Sequence, residues 1–325
     1  MYIGNEHFIE VTNAVEAARL FKKSVSLVAL SISSFCNRKC TYCPNSVVDR
    51  KSTQNFMSDD LFFNIMRQLA LIDYSGEINI TRYNEPFADK DYALSRITDI
   101  RKHLPKARIV IYTNGDYLDS GYLETLAELG VHQIVATVHS GPGGKTDIDS
   151  IKTELRRRMD ELQIEFAVDH EEEKALALSA KYAQGMYLTY IAHDFLRGAE
   201  EGNAWAYDRG GSLPIPKNYV RQLPCLVQFS ELNIEWDGTI LPCCQIQNEM
   251  FANNDYVLGK LDGERDIFLA WTAMSFVLWR RKMLSFEPKK TPCTTCSYGE
   301  PRGNLASLKA TADQVQRAIA RMGAA

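Results

Sequence analysis

The sequence predicts an α/β protein: a parallel sheet with helical crossovers, curled into a partial (β/α)6 TIM-like barrel, then a small cysteine-bearing hairpin-and-helix segment. Three observations predict it. Short apolar strands alternate with amphipathic helices through the first part of the chain. A cysteine triplet, Cys36, Cys40 and Cys43, follows the first strand directly. The remaining cysteines, Cys225, Cys243, Cys244, Cys293 and Cys296, are all confined to the last third.

The elements follow in order. "VSLVALSIS" (Val25–Ser33) is a buried strand that ends at the cysteine loop. "SDDLFFNIMRQLALID" has Ser58 as N-cap, acids in its first turn and apolar residues at helical spacing. "GEINIT" (Gly76–Thr81) is a strand, "DKDYALSRITDIRKHL" a helix and "RIVIYT" (Arg108–Thr113) a strand. "SGYLETLAELG" is a helix closed by Gly130. "HQIVATVH" is the next strand, followed by the glycine-rich "SGPGGK" and a charged helical stretch from about Thr146. "IEFAVD" and "MYLTYIA" are two more strands, with "EEEKALALSAKYA" as the crossover between them. In such sheets the active groups lie at the C-terminal strand ends. The cysteine triplet, "TRYNEP" (Thr81–Pro86) and "TNGDYL" (Thr113–Leu118) all stand there. Later, "ELNIE" and "TILP" flank Trp236-Asp237-Gly238, a hairpin signal. A long amphipathic stretch, "DIFLAWTAMSFVLWRRKML", precedes Cys293 and Cys296, and the final helix "NLASLKATADQVQRAIARM" has a capping, packing role. The expected division is an N-terminal extension (1–24), the barrel (25–200) and the auxiliary segment with its C-terminal helix (201–325).

Composition narrows the function. The 325 residues are 45% apolar and 24% charged, enough for a sizeable core. The formal net charge of −4 gives no bulk attraction to nucleic acid or to an anionic membrane. No apolar run is long enough to span a bilayer, and the N-terminus lacks an apolar signal core, so a cytoplasmic protein is expected. There, clustered cysteines read as metal ligands before disulfides. Zinc is the main rival to iron. A structural zinc site takes four ligands, and the C-x3-C-x2-C triplet offers three, with His7 the nearest histidine. A four-iron cluster with one open iron needs only three thiolates. For the later cysteines, the hairpin pair plus C-x2-C suits an all-cysteine zinc site and an iron–sulfur cluster equally.

"CNRKCTYC", with Tyr42 before the third cysteine, resembles the radical S-adenosylmethionine (radical SAM) family. That family carries a glycine-glycine-glutamate-proline segment after its second strand. Glu85 and Pro86 match it, while Arg82, Tyr83 and Asn84 stand near the glycines. Cys225-x17-Cys243, a gap of about fifty residues, then Cys293-x2-Cys296 looks like the SPASM/twitch auxiliary-cluster domain, with cysteines for one extra cluster. The resemblance implies a SAM-binding [4Fe–4S] cluster on Cys36, Cys40 and Cys43. It also implies an auxiliary [4Fe–4S] cluster on Cys225, Cys243, Cys293 and Cys296. S-adenosylmethionine would be cleaved reductively to a 5′-deoxyadenosyl radical that abstracts hydrogen. An external electron donor such as flavodoxin or ferredoxin is implied as a partner. Tyr42 would lie by the adenine; Asn84, Glu85, Thr113 and Asn114 are candidate cofactor contacts, Thr137, His139 and Ser140 weaker ones.

The family oxidises aminocyclitols, epimerises sugars or peptide residues, and cross-links ribosomal peptides. Only 35 residues precede Cys36, and the loop reads "CPNS"; both lean towards a small polar substrate over a peptide. His193, Asp194, Arg197, Asp208 and Arg209 are candidate contacts for a polyhydroxylated substrate, with a solvated loop the plainer reading of each. Adjacent residues on an extended segment point opposite ways. The x17 spacing favours Cys243 as ligand, leaving Cys244 as a small buried side chain or a hydrogen-atom donor in an epimerase. A peptide-modifying maturase and a non-catalytic zinc-binding protein are the alternatives.

Overall fold

The computed structural model describes residues 3–139, 147–194, 209, 213, 219–250, 256–301 and 305–322. One ten-stranded sheet organises them, in the order β10-β9-β8-β1-β2-β3-β4-β7-β6-β5. The strands are β1 (Leu27–Leu30), β2 (Glu77–Asn79), β3 (Arg108–Thr113), β4 (Gln133–Val138), β5 (Ala167–Glu172), β6 (Ala175–Lys181), β7 (Tyr187–His193), β8 (Glu231–Ile234), β9 (Thr239–Leu241) and β10 (Gly259–Lys260). The run β8-β1-β2-β3-β4-β7 is parallel throughout, and antiparallel strands close both edges. The helices are α1 (Ala14–Ser24), α2 (Asp59–Leu71), α3 (Lys90–His103), α4 (Ser120–Glu128), α5 (Ile148–Leu162), α6 (Ile267–Thr272), α7 (Met274–Leu284) and α8 (Leu305–Met322).

Each crossover helix starts where a short polar side chain accepts from a free backbone N–H. Ser58 takes Leu61 N, Asp89 takes Tyr92 N and Asp119 takes Tyr122 N. The helices then bury one stripe: α2 places Leu61, Phe62, Ile65, Met66 and Leu69 in the core. Each such side chain contributes about 1.5–3 kcal/mol of burial. The opposite face of the sheet stays partly open. Along β4 the even residues Ile134, Ala136 and Val138 are buried, while Gln133, Val135 and Thr137 are half-buried.

Two elements differ from the sequence reading. "EEEKALALSAKYA" is no crossover helix. Its central part forms β6, antiparallel to both β5 and β7. Ala, Leu, Lys and Glu favour helix locally, but Leu176, Leu178 and Ala180 alternate into the core and period two prevails. The sixth parallel strand is instead β8, from the auxiliary segment, in register with β1 from Leu27↔Glu231 to Leu30↔Ile234. The long amphipathic stretch divides into α6 and α7 at Ala273, whose ψ of 159° is extended.

The hairpin signal holds. Gly238 turns β8 into β9 at φ +86°, and a Cβ there would stand 2.2 Å from the Leu261 carbonyl oxygen. The N-terminal extension belongs to the same core, with Ala17, Leu20 and Phe21 buried and the Phe21 ring 5.1 Å from that of Phe268 in α6. Ala312 and Val315 of α8 pack on Phe8, Phe229 and Leu284, the packing role expected of the last helix. Among the described residues no helix is long and apolar enough to cross a membrane.

Candidate active site

The cysteine triplet leaves β1 on a loop pinned at both ends. Ser34 N donates to Asn55 O at 2.8 Å, and Cys36 N to Arg50 O at 2.9 Å. Cys43 N closes a turn on Cys40 O at 2.9 Å, and the Ser46 hydroxyl donates to Cys43 O at 2.8 Å. Burial pushes the Cys36 thiol up to about 11, and it raises Cys40 and Cys43 as well. The negative charge of a neighbouring cysteine adds to the rise in each case. Three such thiols ionise together when positive metal charge meets them. The donor set fits an iron–sulfur cluster.

The loops after β2 and β3 brace this one. Glu85 is 2% exposed, and its carboxylate accepts from Thr113 Oγ1 (2.7 Å), Asn114 N (2.8 Å) and Phe87 N (3.1 Å). Burial raises Glu85 to about 7 against those bonds. Asn84 accepts from Arg82 N and donates to Ile80 O. Asn114 Nδ2 donates to Asn37 Oδ1 at 2.7 Å, beside Cys36. Glu85, Thr113 and Asn114 thus spend their side chains on one another and on the cysteine loop, while Asn84 bonds within the chain segment 80–84. These candidate cofactor contacts therefore stand together, in the loops after β2 and β3 and beside the cysteine loop.

Asp116 completes the brace. It accepts from Arg38 Nε and Nη2 at 2.6 Å each, from Asn37 Nδ2 at 2.8 Å and from Arg158 Nη2 at 2.9 Å. Burial would raise its carboxyl, but the Arg38 and Arg158 bonds outweigh that and hold it at about 2. Tyr42 is 9% exposed, and its hydroxyl lies 2.5 Å from His139 Nδ1. Burial, with Arg38 nearby, lowers His139 to about 4, so the imidazole is neutral at pH 7. Ser140 lies outside the described residues.

The later cysteines gather at the other end of the β8–β9 hairpin. Cys225 N donates to Met283 O at 3.0 Å, and its Sγ packs on Gly299. Burial drives Cys243 far up, with Cys244, Cys293, Cys225 and Cys296 as its charged neighbours. Cys244 is raised to about 11 by burial and then by Glu231, and it sits near Tyr298, Arg82 and Arg209. The adjacent thiols therefore face different groups. Arg221, 1% exposed, donates to the carbonyls of Leu223, Pro224, Cys296 and Tyr298. Among the described residues no carboxylate lies in ion-pair range of it. A buried cation without an acid suits a site that is anionic when loaded. Among the described residues no three His, Cys, Asp or Glu side chains stand close enough to share one metal ion.

The half-open face of the sheet joins the two cysteine groups. In register across it stand Glu231, Asn233, Glu77, Asn79, Thr81, Tyr112, Gln133 and Thr189. Gln133 Nε2 donates to Thr189 Oγ1 at 3.2 Å and the Thr81 hydroxyl to Tyr112 O at 2.7 Å. Burial raises Glu231 to about 7, and Glu77 also rises. The motif reading missed these residues. The available signal was "EINIT", polar at every second position in a strand flanked by parallel neighbours, where apolar runs are the rule. Of the substrate candidates, His193 ends β7 with Nδ1 3.2 Å from Lys174 O, and Asp194 is buried beside it. Arg209 lies 5.7 Å over the Tyr83 ring and donates to Gln245 Oε1. Arg197 and Asp208 lie outside the described residues.

Residues 30–160 match the family model of the Radical SAM superfamily, and residues 225–297 that of an iron–sulfur cluster-binding domain, SPASM. The S-adenosyl-L-methionine-dependent 2-deoxy-scyllo-inosamine dehydrogenase of Niallia circulans is 29% identical over 277 residues, 85% of this chain and 94% of that protein. The GTP 3′,8-cyclase of Nautilia profundicola is 24% identical over 140 residues, 43% of this chain and 40% of that one. A crystal structure of BtrN in complex with AdoMet and 2-DOIA has a TM-score of 0.55 at 26% identity, covering 80% of this chain and 87% of that one.

A parallel barrel sheet with a thiol triplet after its first strand, and a second thiol set on an annexed hairpin, defines a two-cluster iron–sulfur enzyme. The chain carries a radical SAM domain over residues 30–160 and an iron–sulfur cluster-binding SPASM domain over residues 225–297. Its cofactors are a SAM-binding [4Fe–4S] cluster, S-adenosylmethionine and an auxiliary [4Fe–4S] cluster.

Proposed function

We propose that the protein oxidises a secondary alcohol on a small polyhydroxylated substrate of the aminocyclitol kind. The observation that carries this is the polar open face between the two cysteine groups, with Glu231 next to Cys244. The similarity to a 2-deoxy-scyllo-inosamine dehydrogenase along 94% of that protein's length supports the substrate class. Cys36, Cys40 and Cys43 hold the first cluster in this reading, and Cys225, Cys243, Cys293 and Cys296 the auxiliary one. Bound there, the cofactors supply a hydrogen-abstracting radical and a one-electron sink.

The chain's own residues do the rest. Oxidation of CH–OH to C=O removes a hydrogen atom from carbon, one electron and the hydroxyl proton. Glu231 Oε1 or Oε2 takes that proton. Tyr112, Asn79, Thr81 and Gln133 hold neighbouring hydroxyls, and Glu77 an ammonium. Tyr42 and His139 border the adenine. An external flavodoxin- or ferredoxin-type donor reduces the first cluster. Eight free thiols and oxygen-sensitive clusters suit the reducing cytoplasm.

The test is anaerobic incubation of the reconstituted enzyme with S-adenosylmethionine and a panel of aminocyclitols. One ketone per 5′-deoxyadenosine is expected from at least one of them; cofactor cleavage that no aminocyclitol stimulates sinks the substrate class. Glu231→Gln should cut ketone formation by roughly 10²-fold while both clusters still load. Because protonated Glu231 accepts nothing, wild-type turnover should fall as pH drops through about 7, and the variant should lose that limb of the profile. An unchanged acid limb in Glu231→Gln removes it as the base.

A further inference from the structure

The loop after β2 reads Thr81-Arg82-Tyr83-Asn84-Glu85-Pro86, with bulky side chains where the resembling segment has glycines. Two of them reach across the molecule. The Arg82 side chain is 1% exposed. It donates from Nε to Glu235 Oε1 at 3.1 Å, from Nη1 to Asn233 Oδ1 at 2.5 Å and from Nη2 to Ile246 O at 3.0 Å. All three acceptors flank the stretch that carries Cys243 and Cys244. Tyr83 touches both cysteine loops. Its carbonyl accepts from Asn45 Nδ2 at 2.9 Å, two residues after Cys43, and its hydroxyl donates to Cys244 O at 2.8 Å. The guanidinium carbons of Arg82 and Arg209 lie 5.9 Å and 5.7 Å from its ring centroid.

We infer that Arg82 and Tyr83 are positioning residues: they lock the auxiliary cysteine segment onto the first-cluster loop, and Arg82's charge raises the reduction potential of the auxiliary cluster. The inference rests on the reading that Cys225, Cys243, Cys293 and Cys296 hold that cluster. The electrostatic argument has a definite sign. Reduction adds negative charge, which a nearby buried guanidinium favours. Without it, buried Glu235 would keep only Arg50, 3.9 Å away, as a charge partner, and its less compensated negative charge would disfavour the reduced state further. Glycines in the loop would leave the backbone of 81–86 free of this strap. Here one loop serves the cofactor with its backbone and the second cluster with its side chains.

The experiment compares wild type with Arg82→Lys, Arg82→Met and Tyr83→Phe as reconstituted holoenzymes. Redox titration is followed by electron paramagnetic resonance with and without S-adenosylmethionine, whose binding marks the first cluster's signal. The titration itself contains no substrate, so the potentials it reads are independent of the aminocyclitol reading. Arg82→Met is expected to shift the auxiliary signal to lower potential, with Arg82→Lys close to wild type. Tyr83→Phe is expected to keep the potential. With substrate, both Arg82→Met and Tyr83→Phe should raise the cofactor cleaved per product about tenfold, as a misplaced group does. An Arg82→Met potential equal to wild type, or Arg82→Lys shifted as far as Arg82→Met, overturns the charge role. If Arg82→Met loads no auxiliary iron, Arg82→Lys and Tyr83→Phe decide: a shifted Arg82→Lys potential, or wild-type coupling in Tyr83→Phe, overturns the inference. A wild-type protein with no auxiliary signal counts instead against the ligand assignment.

Discussion

Changing Cys36, Cys40 and Cys43 together to alanine is expected to abolish 5′-deoxyadenosine formation while leaving about four irons per chain, against about eight in wild type. The two thiol sets come from different parts of the sheet, one from the loop after β1 and the other from the β8–β9 hairpin and the loops around Arg221. The bonds that hold the first loop in place do not need its sulfurs. Cys36 N donates to Arg50 O, Cys43 N to Cys40 O, and Asn45 Nδ2 to Tyr83 O, all of which alanine leaves intact. The variant should therefore fold with the auxiliary thiols in position. Iron and sulfide analysis, with chromatography of the reduced reaction, gives the answer. Continued 5′-deoxyadenosine production would falsify the assignment of the first cluster. Loss of all iron would instead mean that the strap from Tyr83 makes loading of the two sites interdependent.

The parallel frame was legible because its signals are local. A polar cap, an amphipathic helix and a short apolar strand recur from Val25 to Val138, and each can be read within its own window. The cysteine triplet was legible for the same reason. Pairing at long range was not. Nothing in "ELNIE" says that Glu231–Ile234 will lie beside Leu27–Leu30, two hundred residues earlier in the chain. The strand β6 was hidden by composition, since Ala-Leu-Ala-Leu satisfies both helix propensity and strand alternation and only the partner strands decide.

The hydrogen-bond partners of the candidate cofactor contacts are hidden from the sequence for a related reason. A carboxylate such as Glu85 looks available in sequence, and only the fold reveals three donors already on it. Arg82 and Tyr83 looked like departures from a glycine segment. They became intelligible once the segment carrying Cys243 and Cys244 was seen to lie within their reach.

The adjacent pair supplies the second large effect. Cys243→Ala is expected to lose the auxiliary iron and all product while still cleaving S-adenosylmethionine, and Cys244→Ala to keep the iron. The reason is geometric. Cys243 shares its surroundings with Cys225, Cys293 and Cys296, whereas Cys244 meets Glu231, Tyr298, Arg82 and Arg209, and Gln245 Nε2 donates to its sulfur at 3.5 Å. Tyr83 donates to the Cys244 carbonyl at 2.8 Å, which pins the turn that carries both residues. Iron analysis of the two single variants checks this, and auxiliary iron lost from Cys244→Ala but kept by Cys243→Ala reverses the assignment. The same Cys244→Ala protein also separates oxidation from epimerisation. If the enzyme is a dehydrogenase, the ketone still forms, because oxidation needs a base and an electron sink but no thiol. If Cys244 instead returns a hydrogen atom to the substrate radical, the variant consumes cofactor without yielding inverted product. Wild type in deuterated solvent would then place deuterium at the inverted carbon, since a thiol exchanges its proton with water. Ketone from both proteins and no solvent deuterium in the product is the result expected here, and it leaves Cys244 as a neighbour of the base with no part in the hydrogen transfer.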